Sequence, residues 1–226
     1  MVDNTSNDDV ASFYPQFLQG GLSVVTPNKK GFSASLNLYQ QIVKSSSSSP
    51  LDGKPLVYGE STVGAGLPIL STLKDLLQTG DEVRKIEGVF SGTLSYIFNE
   101  WSTAQGGSSK KFSDVVKVAK EQGYTEPHPG DDLSGSDVSR KLTILSRMVP
   151  SLQDKLVKGY QSVDTFDLTP APLRDIKDGQ EYVEKLPEFD ADFDKLNKEA
   201  QEAGCVLRYV GVIDVEKQII KASLER

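Results

Sequence analysis

Three short β-type runs, at residues 22–26, 56–59 and 85–90, each lead through a turn containing glycine or proline into a segment with helical apolar spacing. That repeated order restricts the chain to α/β architectures in which helices pack on a sheet, and a mixed β-sheet is expected. Cross-links cannot replace the core. Cys205 is the single cysteine, so no internal disulfide forms, and with one histidine a zinc site of the usual kind is excluded. The apolar core must therefore hold the fold, and a chain of 226 residues with 37% hydrophobic residues can build one. Lys and Arg number 25 against 32 Asp and Glu, a net charge of −7. This acidity argues against phosphate-backbone binding and favours small-molecule or protein partners, with no nucleic acid. No run approaches the ~18 apolar residues of a membrane span. Met1-Val2-Asp3-Asn4-Thr5 has neither the basic start nor the apolar run of a signal peptide. A soluble, cytoplasmic protein is expected.

Further elements follow from periodicity and punctuation. Residues 13–18 read as a helix closed by Gly20-Gly21. Ser113 suits the N-cap of a helix over 114–122, ended by Gly123. Residues 124–135 form a Pro/Gly/Asp-rich loop, long for a passive connection. A helix is expected over 136–149 and another over 193–203, while 151–190 is less regular. Residues 206–215 and 219–222 read as an antiparallel pair turning near Glu216-Lys217. The serine run at 45–49 and the segment 106–109 read as loops, Cys205 as buried and inert, and His128 as a surface residue.

Chemistry concentrates in Gly123-Tyr124-Thr125-Glu126-Pro127-His128-Pro129-Gly130-Asp131-Asp132 and its continuation to Lys141, which place four carboxylates within a dozen residues. If Asp137 opens a helix, Asp137 and Lys141 are spaced i,i+4 and share a face. Spacing alone also allows a capped, solvated helix start. Pro127 and Pro129, however, stiffen a segment presenting Glu126, which a passive loop does not need. Thr26-Pro27-Asn28-Lys29-Lys30 follows a strand end, where α/β folds place ligands, or is an ordinary turn. The turn from Glu60 to Pro68 suits a phosphate cradle through its glycine-rich backbone N–H groups or, through its carbonyls, a hard cation. Phe90-Ser91-Gly92-Thr93 is an anion site at a helix start or a capping turn.

Together these segments resemble homoserine dehydrogenase in its fungal form. The resemblance is carried by Thr26-Pro27-Asn28-Lys29, by Glu60-Ser61-Thr62-Val63-Gly64-Ala65-Gly66-Leu67-Pro68, by Gly88-Val89-Phe90-Ser91-Gly92-Thr93-Leu94-Ser95-Tyr96-Ile97, and by the stretch from Ala119 to Lys141. It implies interconversion of L-homoserine and L-aspartate-4-semialdehyde with NADP or NAD, in threonine and methionine biosynthesis, by a homodimer. It further implies that Lys141 handles the hydroxyl proton with Lys29 beside the reacting oxygen. Glu126 is then the carboxylate for the substrate ammonium, Asp137 orients Lys141, and Thr93, Tyr124 and Asp132 are further substrate contacts. Asn4, Thr5, Pro27, Asn28 and Lys29 correspond to the cofactor's edge. Carbonyls of Glu60, Val63, Ala65 and Leu67 correspond to a site for a monovalent cation such as sodium.

The sequence departs from the family in two respects: no Gly-x-Gly-x-x-Gly fingerprint occurs, and Arg226 comes before the Gly/Ala-rich segment that in the family returns to the nucleotide domain. The expectation is a homoserine dehydrogenase-like substrate-binding and dimerisation domain at 51–226, with 1–50 the edge of a nucleotide domain and linker. Such a chain should bind NADP weakly and be inactive alone. The rival readings are a non-catalytic amino-acid-binding or dimerisation module, and an unrelated enzyme using a Schiff-base Lys29 or a metal at Asp131, Asp132 and Asp137.

Overall fold

The structure is a computed structural model that describes residues 1–47, 50–104 and 110–226. Residues 48–49 of the serine run and the expected loop at 106–109 lie outside the described residues. In chain order the helices are α1 (Asp8–Ser12), α2 (Tyr14–Gln19), α3 (Lys30–Ser33), α4 (Leu36–Ser45), α5 (Ile69–Gln78), α6 (Gly92–Trp101), α7 (Phe112–Glu121), α8 (Pro129–Leu133), α9 (Ser136–Met148), α10 (Gly179–Lys185) and α11 (Asp190–Glu202). The strands are β1 (Val24–Val25), β2 (Val57–Tyr58), β3 (Lys85–Gly88), β4 (Asp164–Thr165), β5 (Arg208–Asp214) and β6 (Ile219–Glu225). They form a two-stranded sheet, β1-β2, and a four-stranded sheet in the order β3-β5-β6-β4. The α/β expectation holds. The chain divides into two compact units: residues 1–86, 139–163 and 213–220, and residues 87–138, 164–212 and 221–226.

In the first unit β1 and β2 pair in parallel, Val24 opposite Val57 and Val25 opposite Tyr58. Val2 bridges to Val25 in the same sense, so the first residues of the chain extend this small sheet. Tyr14, Leu18, Val24 and Ile42 are fully buried and form its core. Ser35 caps α4 through its hydroxyl, and of the apolar residues of α4 only Ile42 is buried. Gly159, at φ +66°, lies where an added Cβ would come within 2.1 Å of the Ala34 carbonyl oxygen. Only glycine fits this left-handed close approach.

The second unit is built on an aromatic cluster. Phe112 stacks on Phe193 at 3.9 Å and meets Trp101 edge-on at 5.0 Å, with Phe98 alongside. These large rings bury the most apolar area per residue and fix α6, α7 and α11 together. They also explain a difference at α7. The helix starts at Phe112, one residue before the expected cap, because Phe112 must enter the cluster; Lys111 is the N-cap and makes no side-chain bond. Ser113 instead gives its backbone N–H and its hydroxyl to the two oxygens of buried Asp190, at 2.9 and 2.7 Å. The expected loop at 124–135 contains a short helix, α8, and 151–190 contains β4 and α10. Along β5, Tyr209 and Gly211 are buried while Arg208 and Val210 are half-buried, but the alternation ends there, since Val212 and Ile213 are both buried. Cys205 is half-exposed rather than buried.

Candidate active site

In the second unit the carboxylate-rich segment folds back on itself. Thr93, in the first turn of α6, donates its hydroxyl to the Tyr124 carbonyl at 2.7 Å. Tyr124 packs edge-on against Tyr96, ring centroids 4.9 Å apart. The Glu126 N–H donates to Asp132 Oδ2 at 2.8 Å, so α8 carries an acceptor back to the start of its own loop. This leaves the Glu126 side chain exposed at the rim and Asp132 half-buried. Burial raises the Asp132 pKa above the usual carboxylate value. The hydrogen bonds from the Glu126 amide and Thr93 lower it, while the charges of Glu126 and Asp137 raise it further. Glu126, Asp132, Asp137, Thr93 and Tyr124 are thus gathered in one part of the second unit. Three carboxylates in electrostatic reach of one another suit a cation such as an amino-acid ammonium.

The raised pKa has a measurable consequence. A group whose pKa is raised on folding stabilises the fold below its unfolded pKa and loses that contribution as pH rises through the folded value. Asp132→Asn is therefore expected to raise the thermal midpoint at pH 7, with the advantage shrinking as pH falls toward 4. A midpoint lowered at pH 7 counts against this account of Asp132.

α9 spans residues 136–148, so Asp137 lies in its first turn and Lys141 one turn later, as the i,i+4 spacing predicts. The part of α9 from residue 139 belongs to the first unit, and there the segment of the second candidate lysine is tied to this helix. Lys29 is the N-cap residue of α3. Ser33 donates its hydroxyl to the Lys29 carbonyl at 2.8 Å and accepts from Arg140 Nη1 at 3.3 Å. Arg147, 3% exposed, donates to the carbonyls of Phe32 at 2.5 Å, Ala34 at 2.7 Å and Leu156 at 3.4 Å. Lys29 and Lys141 are both half-buried.

The turn before Lys29 is braced from the start of the chain. Asp3 is 2% exposed; its carboxylate accepts from the Thr5 N–H at 2.8 Å, the Thr5 hydroxyl at 2.7 Å, the Asn28 amide at 3.0 Å and the Tyr14 hydroxyl. The Thr26 hydroxyl donates to the Asp3 carbonyl and accepts from the Asn28 N–H, each at 2.8 Å. Burial pushes the Asp3 pKa up, but the hydrogen bonds from Tyr14, Thr5 and Asn28 outweigh it and hold the carboxyl down at about 2. The same arrangement pushes Tyr14 above the ordinary tyrosine range, through burial first and its bond to Asp3 second. Sequence reasoning missed Asp3, Tyr14, Arg140 and Arg147. A signal existed for Arg147, a charge set among Leu142, Ile144, Leu145 and Met148.

In the turn after β2, Gly64 and Ala65 take φ +82° and +52°. The Glu60 carboxylate anchors the turn by accepting from the Ser71 N–H at 3.1 Å. Leu67 donates to the Gly64 carbonyl at 2.9 Å. The left-handed pair re-aims successive carbonyls, and an all-carbonyl donor set is the chemistry of a hard cation site. Among the described residues no group of three His, Cys, Asp or Glu could hold a metal ion. This leaves no support for a metal at Asp131, Asp132 and Asp137. No described helix is long and apolar enough to cross a membrane.

The family model for homoserine dehydrogenase matches residues 68–225. The chain belongs to the homoserine dehydrogenase family. The model for the NAD-binding domain of homoserine dehydrogenase matches residues 1–51. Homoserine dehydrogenase of Emericella nidulans is 52% identical, and that of Saccharomyces cerevisiae 49%; each alignment covers all of this chain and 60% of the relative. The chain therefore spans about 60% of the length of these relatives. A Candida auris protein described as of unknown function has a solved structure 48% identical, with a TM-score of 0.89 over 99% of this chain and 60% of that one. A hyperthermophilic archaeal homoserine dehydrogenase in complex with NADPH shares the fold at 22% identity, with a TM-score of 0.64 over 100% of this chain and 55% of that one.

Proposed function

We propose that the chain carries the substrate-binding part of a homoserine dehydrogenase of the aspartate pathway to threonine and methionine. It would bind L-homoserine or L-aspartate-4-semialdehyde for NAD(P)-dependent oxidoreduction. The observation that carries this reading is the Thr93-Tyr124-Glu126-Asp132-Asp137 cluster, in a chain of this family. Glu126, exposed and charged, takes the substrate ammonium. Asp132 holds the Glu126 backbone in place, and Thr93 holds the Tyr124 carbonyl. Asp137, one helical turn before Lys141, orients the lysine, and Lys141 takes the hydroxyl proton as the alcohol is oxidised. Lys29 keeps the role that the resemblance gives it, beside the reacting oxygen. The nicotinamide cofactor, when bound, supplies or removes the hydride.

Asn4, Thr5, Pro27, Asn28 and Lys29 are proposed for the cofactor's edge. Thr5 and Asn28 fit that role through the main chain, because the Thr5 hydroxyl and the Asn28 amide are already engaged on Asp3. Carbonyls of Glu60, Val63, Ala65 and Leu67 would hold a monovalent cation that braces the turn without taking part in the chemistry. Residues 1–50 act as the edge of the nucleotide domain and 51–226 as the substrate and dimerisation domain. A homodimer formed through the sheet, in the cytoplasm, is part of the same proposal.

Because the glycine fingerprint is absent, this chain alone is expected to bind L-homoserine but to hold NADP weakly and turn over little. Calorimetric titration with L-homoserine tests the substrate site. Binding should be saturable, weakened by at least tenfold in Glu126→Ala and retained in Lys141→Met. Equal affinity in wild type and Glu126→Ala rejects the assignment, and micromolar NADP binding rejects the expectation for the cofactor.

A further inference from the structure

His128 stands in the middle of the carboxylate segment with both ring nitrogens engaged. Nδ1 lies 3.1 Å from the Gly130 backbone nitrogen, and Nε2 lies 3.1 Å from the Ile176 carbonyl oxygen. A backbone N–H can only donate and a carbonyl can only accept. The two partners together select one form of the ring: a bare Nδ1 that accepts, and an Nε2 whose proton is donated to Ile176. The surroundings are shaped to hold the ring there. A Cβ on Gly130 would lie 2.7 Å from one ring atom and 2.9 Å from another, so glycine leaves room for the imidazole. The ring packs against fully buried Tyr182 at 4.9 Å between centroids. A Cβ on Gly179 would lie 2.5 Å from the Pro127 carbonyl oxygen, so the start of α10 sits directly against the segment before His128.

With both nitrogens occupied by backbone, the ring has no site left for a metal or for proton exchange with a substrate. Its effect is mechanical. The segment is pinned at Tyr124 by Thr93, at Glu126 by Asp132, and between these two carboxylates by His128. We infer that His128 is a positioning residue: as the neutral Nε2–H tautomer it clamps α8 to Ile176 and thereby sets Glu126 and Asp132 for the amino-acid substrate. This rests on the substrate reading above, and the two can fail separately.

The chain has one histidine, so a ring nitrogen–proton correlation spectrum of the 226-residue protein reports His128 alone. At neutral pH the spectrum should show the proton on Nε2 and none on Nδ1. His128→Ala should speed exchange of the Glu126 amide proton and weaken L-homoserine binding, each by about tenfold, the scale of a lost helix cap. His128→Asn, a good cap that is too short to reach Ile176, should recover part of both losses. A proton on Nδ1, averaging between tautomers, or an unchanged Glu126 amide in His128→Ala would overturn the clamp. If His128→Ala does not fold, the wild-type spectrum and His128→Asn still decide. If the wild type binds no L-homoserine while ring and amide behave as stated, the substrate reading falls and the clamp stands.

Discussion

Replacing Arg147 by alanine is expected to cost about 4 kcal/mol, lowering the thermal midpoint by roughly 10 °C for a chain of this size. The guanidinium is 3% exposed and donates to three carbonyls, of Phe32, Ala34 and Leu156. It also lies over the Tyr39 ring at 4.7 Å. Burial lowers its pKa to about 10, against a smaller upward effect of Tyr39, so it remains charged at neutral pH. Without it those carbonyls lose a charged donor inside the first unit, and each such bond contributes about 1.5–3 kcal/mol. Lysine is expected to recover less than half of the loss, because a single ammonium cannot spread donors as a planar fork does. Calorimetric melting of wild type, Arg147→Ala and Arg147→Lys checks this. A loss below about 1 kcal/mol would mean that water or a shifted side chain replaces the fork. The position matters beyond stability, since two of the carbonyls held by Arg147, those of Phe32 and Ala34, belong to the segment that starts at Lys29.

The second large effect is expected at Asp3. Its pKa, lowered from 3.8 to about 2, means that the folded state prefers the ionised carboxylate. A depressed pKa contributes stability that is fully present above the unfolded value and is lost as pH falls through the folded one. The contribution is therefore complete above about pH 4, amounts to roughly 2 kcal/mol, and disappears between pH 4 and pH 2. Asp3→Asn removes the charge and turns an amide donor toward Thr5, Tyr14 or Asn28, where donors already stand. The expected cost is about 2–4 kcal/mol at pH 7, with the gap closing on acidification. Urea unfolding of both proteins across that range measures it. A gap that stays constant from pH 7 to pH 3 would show that the Asp3 charge is not what the network needs. Because Thr26 and Asn28 belong to this network, loosening it should also free the turn that leads to Lys29.

Whereas α8, β4 and α10 fell in stretches read as loop or irregular, elements were readable where they carry their own local signal. α9 is an instance: its apolar positions repeat at helical spacing, and the structure ends it within one residue of the expected limit. Apart from Asn4 and Thr5, the candidate residues could be proposed from sequence because they lie in four linear segments. Local signals failed where a distant partner competed for the same group. Ser113 has the side chain of an N-cap, but Asp190, 77 residues away, takes both its donors. His128 looked like a surface residue between two prolines because nothing nearby announces Ile176, 48 residues on.

By itself, then, the sequence determined the α/β class, the reliance on an apolar core, and the family to which Lys29, Glu126, Asp137 and Lys141 belong. Periodicity, turn chemistry and short motifs are properties of neighbouring residues. Tertiary structure alone decided how those residues are held. Asp3 is ionised beneath Asn28, Arg147 grips the carbonyls beyond Lys29, and Asp132 returns to the Glu126 amide. A buried charge or polar group must find its partners wherever the fold brings them, and the cost of leaving it unpaired selects that arrangement.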